Sequence, residues 1–181
     1  MMLSTVAVVK NENDSQEQLR VVKSLLKPAP SLEEHHERLA GSCTWIEERQ
    51  DFLDWRDSDV DFHEGRVYPP SIYWVTANPG VGKTILASHV TSQLKELCVQ
   101  NSVHFFRFGK KESHSLATCL RAIAYQMATT NAAVRGALAE LYRNDCTFDQ
   151  DDARAVWLKI FTSCIFQVRP CSLSRRLGIP N

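Results

Sequence analysis

A chain of 181 residues fits one domain, or one small domain with part of a second. Its apolar content of 44%, charged content of 23% and formal net charge of zero are ordinary for a globular protein that works in water. Eleven acids and three bases fall in residues 31–64, so no basic face typical of nucleic-acid binding is indicated. The apolar stretch at the N-terminus is too short for a signal peptide or a membrane span. We therefore expect a cytoplasmic protein with neither nucleic acid nor membrane as a partner.

The first 70 residues are predicted to be helical. Three S/T-x-x-E/Q capping boxes mark helix starts, at Ser15, Ser31 and Thr44. Pro28 and Pro30 should end the first helix. We interpret residues 1–30 as an N-terminal helix and linker, and residues 31–70 as a helical lead-in segment whose last part, from about residue 57, is irregular.

A glycine-containing loop follows this segment and has the pattern A-x-x-x-x-G-K-T of a Walker A phosphate-binding loop. The apolar run 72–76 before it predicts a buried strand. The stretch from Thr84 to Cys98 predicts an amphipathic helix with Leu86, Val90, Leu94 and Leu97 on one face. A strand, a glycine loop and a helix together direct backbone N–H groups at a phosphate. The predicted nucleotide-binding residues are Ala77, Asn78, Pro79, Gly80, Val81, Gly82, Lys83 and Thr84.

Within this loop each residue type has a separate task. Gly80 and Gly82 allow backbone conformations that a Cβ disfavours, and Lys83 is expected to reach the β- and γ-phosphates. The Thr84 hydroxyl is the predicted ligand of Mg²⁺. Ala77 stands where the first glycine of the motif is usual and is small enough for that position. The implied cofactors are ATP (or GTP) and Mg²⁺.

Further elements are predicted after the loop. Residues 103–108 predict a second strand, and helices are expected over about 113–128 and 132–143, with another beginning after Asp151 and Asp152. The region 71–168 is therefore expected to be a partial P-loop NTPase domain of α/β class, followed by an irregular tail at 169–181. The six cysteines contain no C-x-x-C pair and are interpreted as free core thiols, and the histidines lack metal-ligand spacing.

A Walker B aspartate is missing from this pattern. Hydrolysis by P-loop enzymes needs an acid at the end of an apolar strand to hold Mg²⁺. Every acid after Thr84 falls in a predicted helix or in the polar turn before one. We therefore predict no catalytic residue and no effective hydrolysis.

The sequence resembles fungal NACHT-type P-loop NTPases of the nephrocystin-3-like N-terminal family. The resemblance covers about Glu33 to Val168 and is carried by four blocks: Gly41 to Trp55, Ile72 to Thr84, the run 103–108, and Leu116 to Met127. It implies a signalling NTPase in which bound nucleotide switches a larger chain between states. In that family a strand with the Walker B acid would follow Arg169-Pro170. A basic tail stands there instead, which indicates a truncated or frame-altered form.

Two other functions remain open. The segment 14–56 offers Trp45, Phe52 and Trp55 to a protein partner, which would make the chain a non-enzymatic interaction module with a vestigial loop. A small-molecule kinase built on the same loop is the third, although no substrate-binding acid or lid arginines can be placed. Because the expected sheet would be incomplete, we also expect exposed strand edges, with self-association or dependence on a protein partner.

Overall fold

The computed structural model describes residues 2–28, 41–57, 72–97, 99–106, 114–144 and 146–168, with side chains from residue 12 onward. Packing divides the chain into two units. The helical unit comprises 1–32 and 100–181, and the loop unit comprises 33–99. The predicted helix at Ser31, most of the stretch 57–70, the tail 169–181, and Arg107 and Phe108 of the second predicted strand lie outside the described residues.

The α/β prediction is wrong, because the described part of the chain contains helices and no strand. Residues 72–76 and 103–106 have no regular secondary structure, and neither run pairs with another strand there. The first run is also not buried: Ile72 is 79% exposed and Trp74 is 80% exposed. A strand needs a partner backbone and a covered face, and apolar composition alone supplies neither.

The helical unit is built from α1 (Met2–Leu26), α4 (Leu116–Thr130), α5 (Ala132–Arg143) and α6 (Ala153–Val156). After α6 the chain continues as π-helix over Trp157–Thr162 and as 3₁₀-helix over Ile165–Gln167. Helix α1 packs on α4 and α5, and α4 also packs on α6. The buried residues of this core are Val22, Leu25, Leu26, Ala117, Ala124, Ala128, Val134, Leu138, Ala139, Val156, Ile160, Phe161, Cys164 and Ile165.

The loop unit is smaller. It contains a 3₁₀-helix at Thr44–Glu48 (hereafter the 3₁₀ turn), α2 (Gln50–Arg56) and α3 (Lys83–Glu96). Its buried core consists of Ile46, Phe52 and Leu86, with partly buried Cys43, Leu53, Trp55, Tyr73 and Val90 packed around it.

Two predicted helix starts are wrong. Ser15 lies inside α1, because a capping side chain contributes only about 1 kcal/mol and does not outweigh uninterrupted backbone hydrogen bonding. Thr44 does not cap a single helix either: its hydroxyl donates to the carbonyl of Gly41 at 3.0 Å, and the segment splits into the 3₁₀ turn and α2. The predicted helix after Asp152 exists, but it changes from α to π geometry at Trp157.

Gln126 binds the start of the second predicted strand. Its side-chain oxygen accepts from the N–H of Val103 at 2.9 Å, and its side-chain nitrogen donates to the carbonyl of Val103 at 2.8 Å. The carboxamide thus makes the pair of hydrogen bonds that a neighbouring strand would make. A helix side chain holds this segment, so no sheet is needed.

The cysteines of the described part that have free thiols are Cys43, Cys119, Cys146 and Cys164. Cys119 and Cys164 are buried in the helical unit. Burial raises the pKa of the Cys164 thiol to about 11, which keeps it protonated and unreactive at neutral pH.

Arg121 on α4 binds the C-terminal end of α1. The side chain is buried, and its guanidinium donates to the carbonyls of Leu26 at 3.2 Å and Lys27 at 3.4 Å. Gln150 donates to the carbonyl of Leu25 at 3.0 Å and accepts from Arg121 at 3.4 Å. These contacts satisfy helix carbonyls that would otherwise lack donors, and the positive charge suits the negative end of the helix dipole.

We predict that Arg121→Met lowers the free energy of unfolding by about 1–3 kcal/mol, because the carbonyls of Leu26 and Lys27 lose their donor while the apolar stem is kept. Urea denaturation followed by circular dichroism measures the change. Arg154→Met, an exposed substitution on α6, should change stability by no more than about 0.5 kcal/mol. Equal midpoints for the two variants would contradict the role assigned to Arg121.

Candidate functional site

The loop 77–84 lies at the surface of the loop unit and leads directly into α3. All of its residues are exposed except Gly82, which is partly buried. Gly82 is the N-cap of α3, and Lys83 and Thr84 form the first helical positions. The eight residues predicted from the motif therefore form one continuous surface loop with a helix start at its end.

Two glycines of the loop have left-handed backbone conformations. Gly80 has φ of 82° and Gly82 has φ of 92°, whereas Val81 between them is not among the residues with positive φ. Turns with left-handed residues occur in the backbone nests that bind anions through successive N–H groups. Ala77 does not have a positive φ either, so a Cβ is compatible with the position where the motif usually has glycine.

Helix α3 begins without a side-chain cap. By contrast, α4, α5 and α6 are capped by Ser115, Asn131 and Asp152, whose side chains accept from backbone N–H groups of the first turn. The N–H groups at the start of α3 therefore lack intrahelical or capping acceptors and face the loop. Together with the helix dipole they attract negative charge.

The Lys83 side chain folds back over the loop. Its ammonium donates to the carbonyls of Ala77 at 2.7 Å and Asn78 at 2.8 Å. An ammonium has three N–H donors, so one remains for an anion. These contacts hold the two ends of the loop together and place a positive charge beside its first residues.

Thr84 is exposed on the first turn of α3. Among the described residues no group of three or more histidine, cysteine or acidic side chains could hold a metal ion. Mg²⁺ commonly binds through phosphate oxygens, waters and one or two protein oxygens, and the Thr84 hydroxyl fits that mode. A single hydroxyl oxygen suits a Mg²⁺ ion whose other ligands are phosphate oxygens and waters.

The chain before the loop is anchored by Tyr73. Its ring lies 5.7 Å from the ring centroids of both Phe52 and Trp55 on α2. Its hydroxyl donates to Asp51 at 3.3 Å, and the same carboxylate accepts two hydrogen bonds from Arg49. The hydrogen bonds from Arg49 lower the pKa of Asp51 to about 2, so this carboxylate stays ionised at neutral pH.

The helix after the loop is anchored by its buried face. Leu86 packs in the core with Ile46 and Phe52. His89, which is 8% exposed, lies with its Nε2 2.8 Å from the Glu47 carboxylate of the 3₁₀ turn. Of the predicted apolar face, Leu86 is buried, Val90 and Leu94 are partly buried, and Leu97 is 55% exposed.

Sequence reasoning missed these anchoring contacts. His89 lies three residues after Leu86, which places it on the same face of α3 and could have indicated that it is buried. Phe52 and Trp55, predicted to be offered to a partner, instead pack within the chain: Phe52 is buried and Trp55 is partly buried. Trp45 remains 51% exposed.

Comparison with known families gives one assignment. The family model described as "Nephrocystin 3, N-terminal" matches residues 41–174, which is most of the chain. The chain therefore belongs to the nephrocystin 3 N-terminal family, as the resemblance implied. The match does not bear on the narrower assignment to fungal NACHT-type NTPases. No curated protein matches this chain, and no solved structure does.

The structure also bears on the membrane prediction. No helix within the described residues is both long and apolar enough to cross a membrane.

We predict opposite effects for two glycine-to-alanine substitutions. Neither Gly82 nor Gly136 has an atom within 4 Å of an added Cβ, so crowding affects neither. Gly82→Ala should cost about 1–2 kcal/mol of stability because of its positive φ. Gly136→Ala, inside α5, should add about 0.5–1 kcal/mol. Denaturant titrations give both values, and stabilisation by Gly82→Ala would show that the positive φ is not required.

Proposed function

We propose that this chain binds a nucleoside triphosphate, ATP or GTP, together with Mg²⁺, through the loop 77–84. The observation that carries the proposal is the conformation of the loop: two positive-φ glycines separated by one residue, an uncapped helix start, and the Lys83 ammonium bound to the carbonyls of Ala77 and Asn78. Each of these features favours an anion.

The proposed roles follow the residues. Backbone N–H groups from Gly80 to Thr84 would donate to phosphate oxygens. The remaining N–H donor of Lys83 would contact the β- and γ-phosphates, and the Thr84 hydroxyl would ligate Mg²⁺. The ion would neutralise charge on the phosphates when bound. These roles concern the loop itself and do not depend on a parallel sheet beneath it.

Binding without effective turnover is the second part of the proposal. The contacts of the loop within the described residues involve backbone carbonyls and no carboxylate. Turnover requires an acid that fixes Mg²⁺ or orients water. A NACHT-type switch in a larger signalling chain is compatible with such binding and remains a prediction from the resemblance.

We predict that Lys83→Ala weakens binding of Mg·ATP about tenfold to a hundredfold, because a charge-assisted contact contributes roughly 1.5–3 kcal/mol. Isothermal titration calorimetry measures the affinity. Lys95→Ala is the matched control, since this residue lies on the same helix about 18 Å along its axis from Lys83. Equal affinities for wild type and Lys83→Ala would remove the loop from the function.

Lys83→Gln separates the two contributions of the lysine. A carboxamide can still donate to the carbonyls of Ala77 and Asn78, but it carries no charge. If charge dominates, Lys83→Gln should bind as weakly as Lys83→Ala. If closure of the loop dominates, it should bind nearly as well as wild type.

We further expect no phosphate release above background from Mg·ATP or Mg·GTP. A malachite green assay over several hours, with Lys83→Ala as the blank, measures it. Steady release by wild type that Lys83→Ala abolishes would contradict this expectation and would mean that an acid elsewhere in the chain is recruited to the loop. Titration with Mg·GTP beside Mg·ATP gives the base preference.

A further inference from the structure

The phosphate loop has no tertiary packing of its own. Its residues are exposed except for the partly buried Gly82, and a Cβ built at Gly80 or Gly82 would meet no atom within 4 Å. Its internal restraint is the Lys83 ammonium bound to two carbonyls. The separation and orientation of its two ends must therefore be set by the residues that anchor them.

Both ends are anchored to the same short stretch, residues 44–56. On the N-terminal side, Tyr73 packs on Phe52 and Trp55 and donates to Asp51. On the C-terminal side, Leu86 packs on Ile46 and Phe52. Phe52 thus contacts elements on both sides of the loop, and the stretch 44–56 bridges them.

A directional contact joins the bridge to α3. Apolar packing tolerates small sliding and rotation, whereas a hydrogen bond restricts both distance and angle. The 2.8 Å bond between His89 Nε2 and Glu47 Oε1 is such a restraint, and His89 is almost fully buried. His89 lies six residues, fewer than two helical turns, after Lys83. This bond therefore restrains the helix that presents the N–H groups of the site.

We propose that Glu47 and His89 are positioning residues for the phosphate loop: their hydrogen bond holds α3 in the rotation at which its first N–H groups and Lys83 face a common phosphate. This inference rests on the proposed function for its ligand, but it also makes a statement about the nucleotide-free chain. Neither residue contacts the phosphate. Their effect acts through α3.

The first test measures Mg·ATP affinity by calorimetry in Glu47→Ala, His89→Ala and the double variant. Each single substitution should weaken binding about twofold to thirtyfold, the range found for coupled positions away from a ligand. The double variant should be no weaker than the worse single one, because both remove the same bond. Glu47→Gln keeps an accepting side-chain oxygen and should restore most of the affinity. Glu48→Ala, at the exposed neighbouring position of the 3₁₀ turn, is the matched control and should bind like wild type.

The second test needs no nucleotide. Backbone amide exchange of residues 80–85 should be faster in Glu47→Ala than in Glu48→Ala, while exchange in α5 of the helical unit stays unchanged. Should Glu47→Ala fail to fold, His89→Gln, which keeps a donor, takes its place in both tests with a smaller expected effect.

The outcomes separate the two proposals. If wild type does not bind Mg·ATP, the proposed function fails, and the exchange result alone decides the positioning role. If wild type binds and Lys83→Ala does not, yet Glu47→Ala and His89→Ala bind like wild type, the positioning role is wrong and the proposed function stands. These variants could instead change the unfolding free energy but neither the Mg·ATP affinity nor the amide exchange of residues 80–85. That result would show that Glu47 and His89 stabilise the fold and do not position the loop.

Discussion

The buried guanidinium of Arg121 connects separate elements of the helical unit. It joins the end of α1, the middle of α4 and the segment before α6, which lie far apart in the sequence. Its ion pair with Asp151 is long, at 3.9 Å, and that carboxylate is 95% exposed, so it offsets little of the cost of burying the charge. The carbonyls at the end of α1 are the principal partners. A positive charge at a helix C-terminus is favourable.

The loop unit is organised by a different constraint. Three buried side chains, Ile46, Phe52 and Leu86, form its core, which is too small to restrain a surface loop through packing alone. Hydrogen bonds at the flanks, from Tyr73 to Asp51 and between His89 and Glu47, add to the restraint. An exposed loop held at both ends can also change shape without disturbing a large core. Such freedom is useful where a ligand must enter and leave.

The sequence predicted some elements well because their determinants are local. Helix α5 was expected over 132–143 and is observed at Ala132–Arg143, since Asn131 caps it and Val134 and Leu138 lie on its buried face. Helix α4 was expected as well, but its buried face is formed largely by alanines, and Leu116 at its start is 57% exposed. Small residues let α4 approach its neighbours closely, which hydrophobicity patterns do not indicate.

The remaining errors arise where a distant residue decides the outcome. The runs 72–76 and 103–106 have the composition of strands, and no local pattern shows whether a partner strand exists. The backbone of Val103 is hydrogen-bonded to the side chain of Gln126 and not to a second strand. The Walker A pattern, in contrast, placed Gly80, Gly82 and Lys83 in one loop from the sequence alone, because glycine spacing and the following helix determine that conformation locally. What the pattern could not supply was the set of contacts from 44–56 that anchors the flanks.

Helix α1 lies outside the region that the family model matches, because the match begins at residue 41. Yet α1 contributes Val22, Leu25 and Leu26 to the core, and its terminal carbonyls bind Arg121, which lies inside the matched region. Without α1, the alanine face of α4 and the apolar face of α5 would no longer pack against Val22, Leu25 and Leu26. The buried guanidinium of Arg121 would also lose the carbonyls that accept its hydrogen bonds. The described structure of the matched region is therefore completed by a helix from outside it, and the stability of residues 114–168 depends on α1.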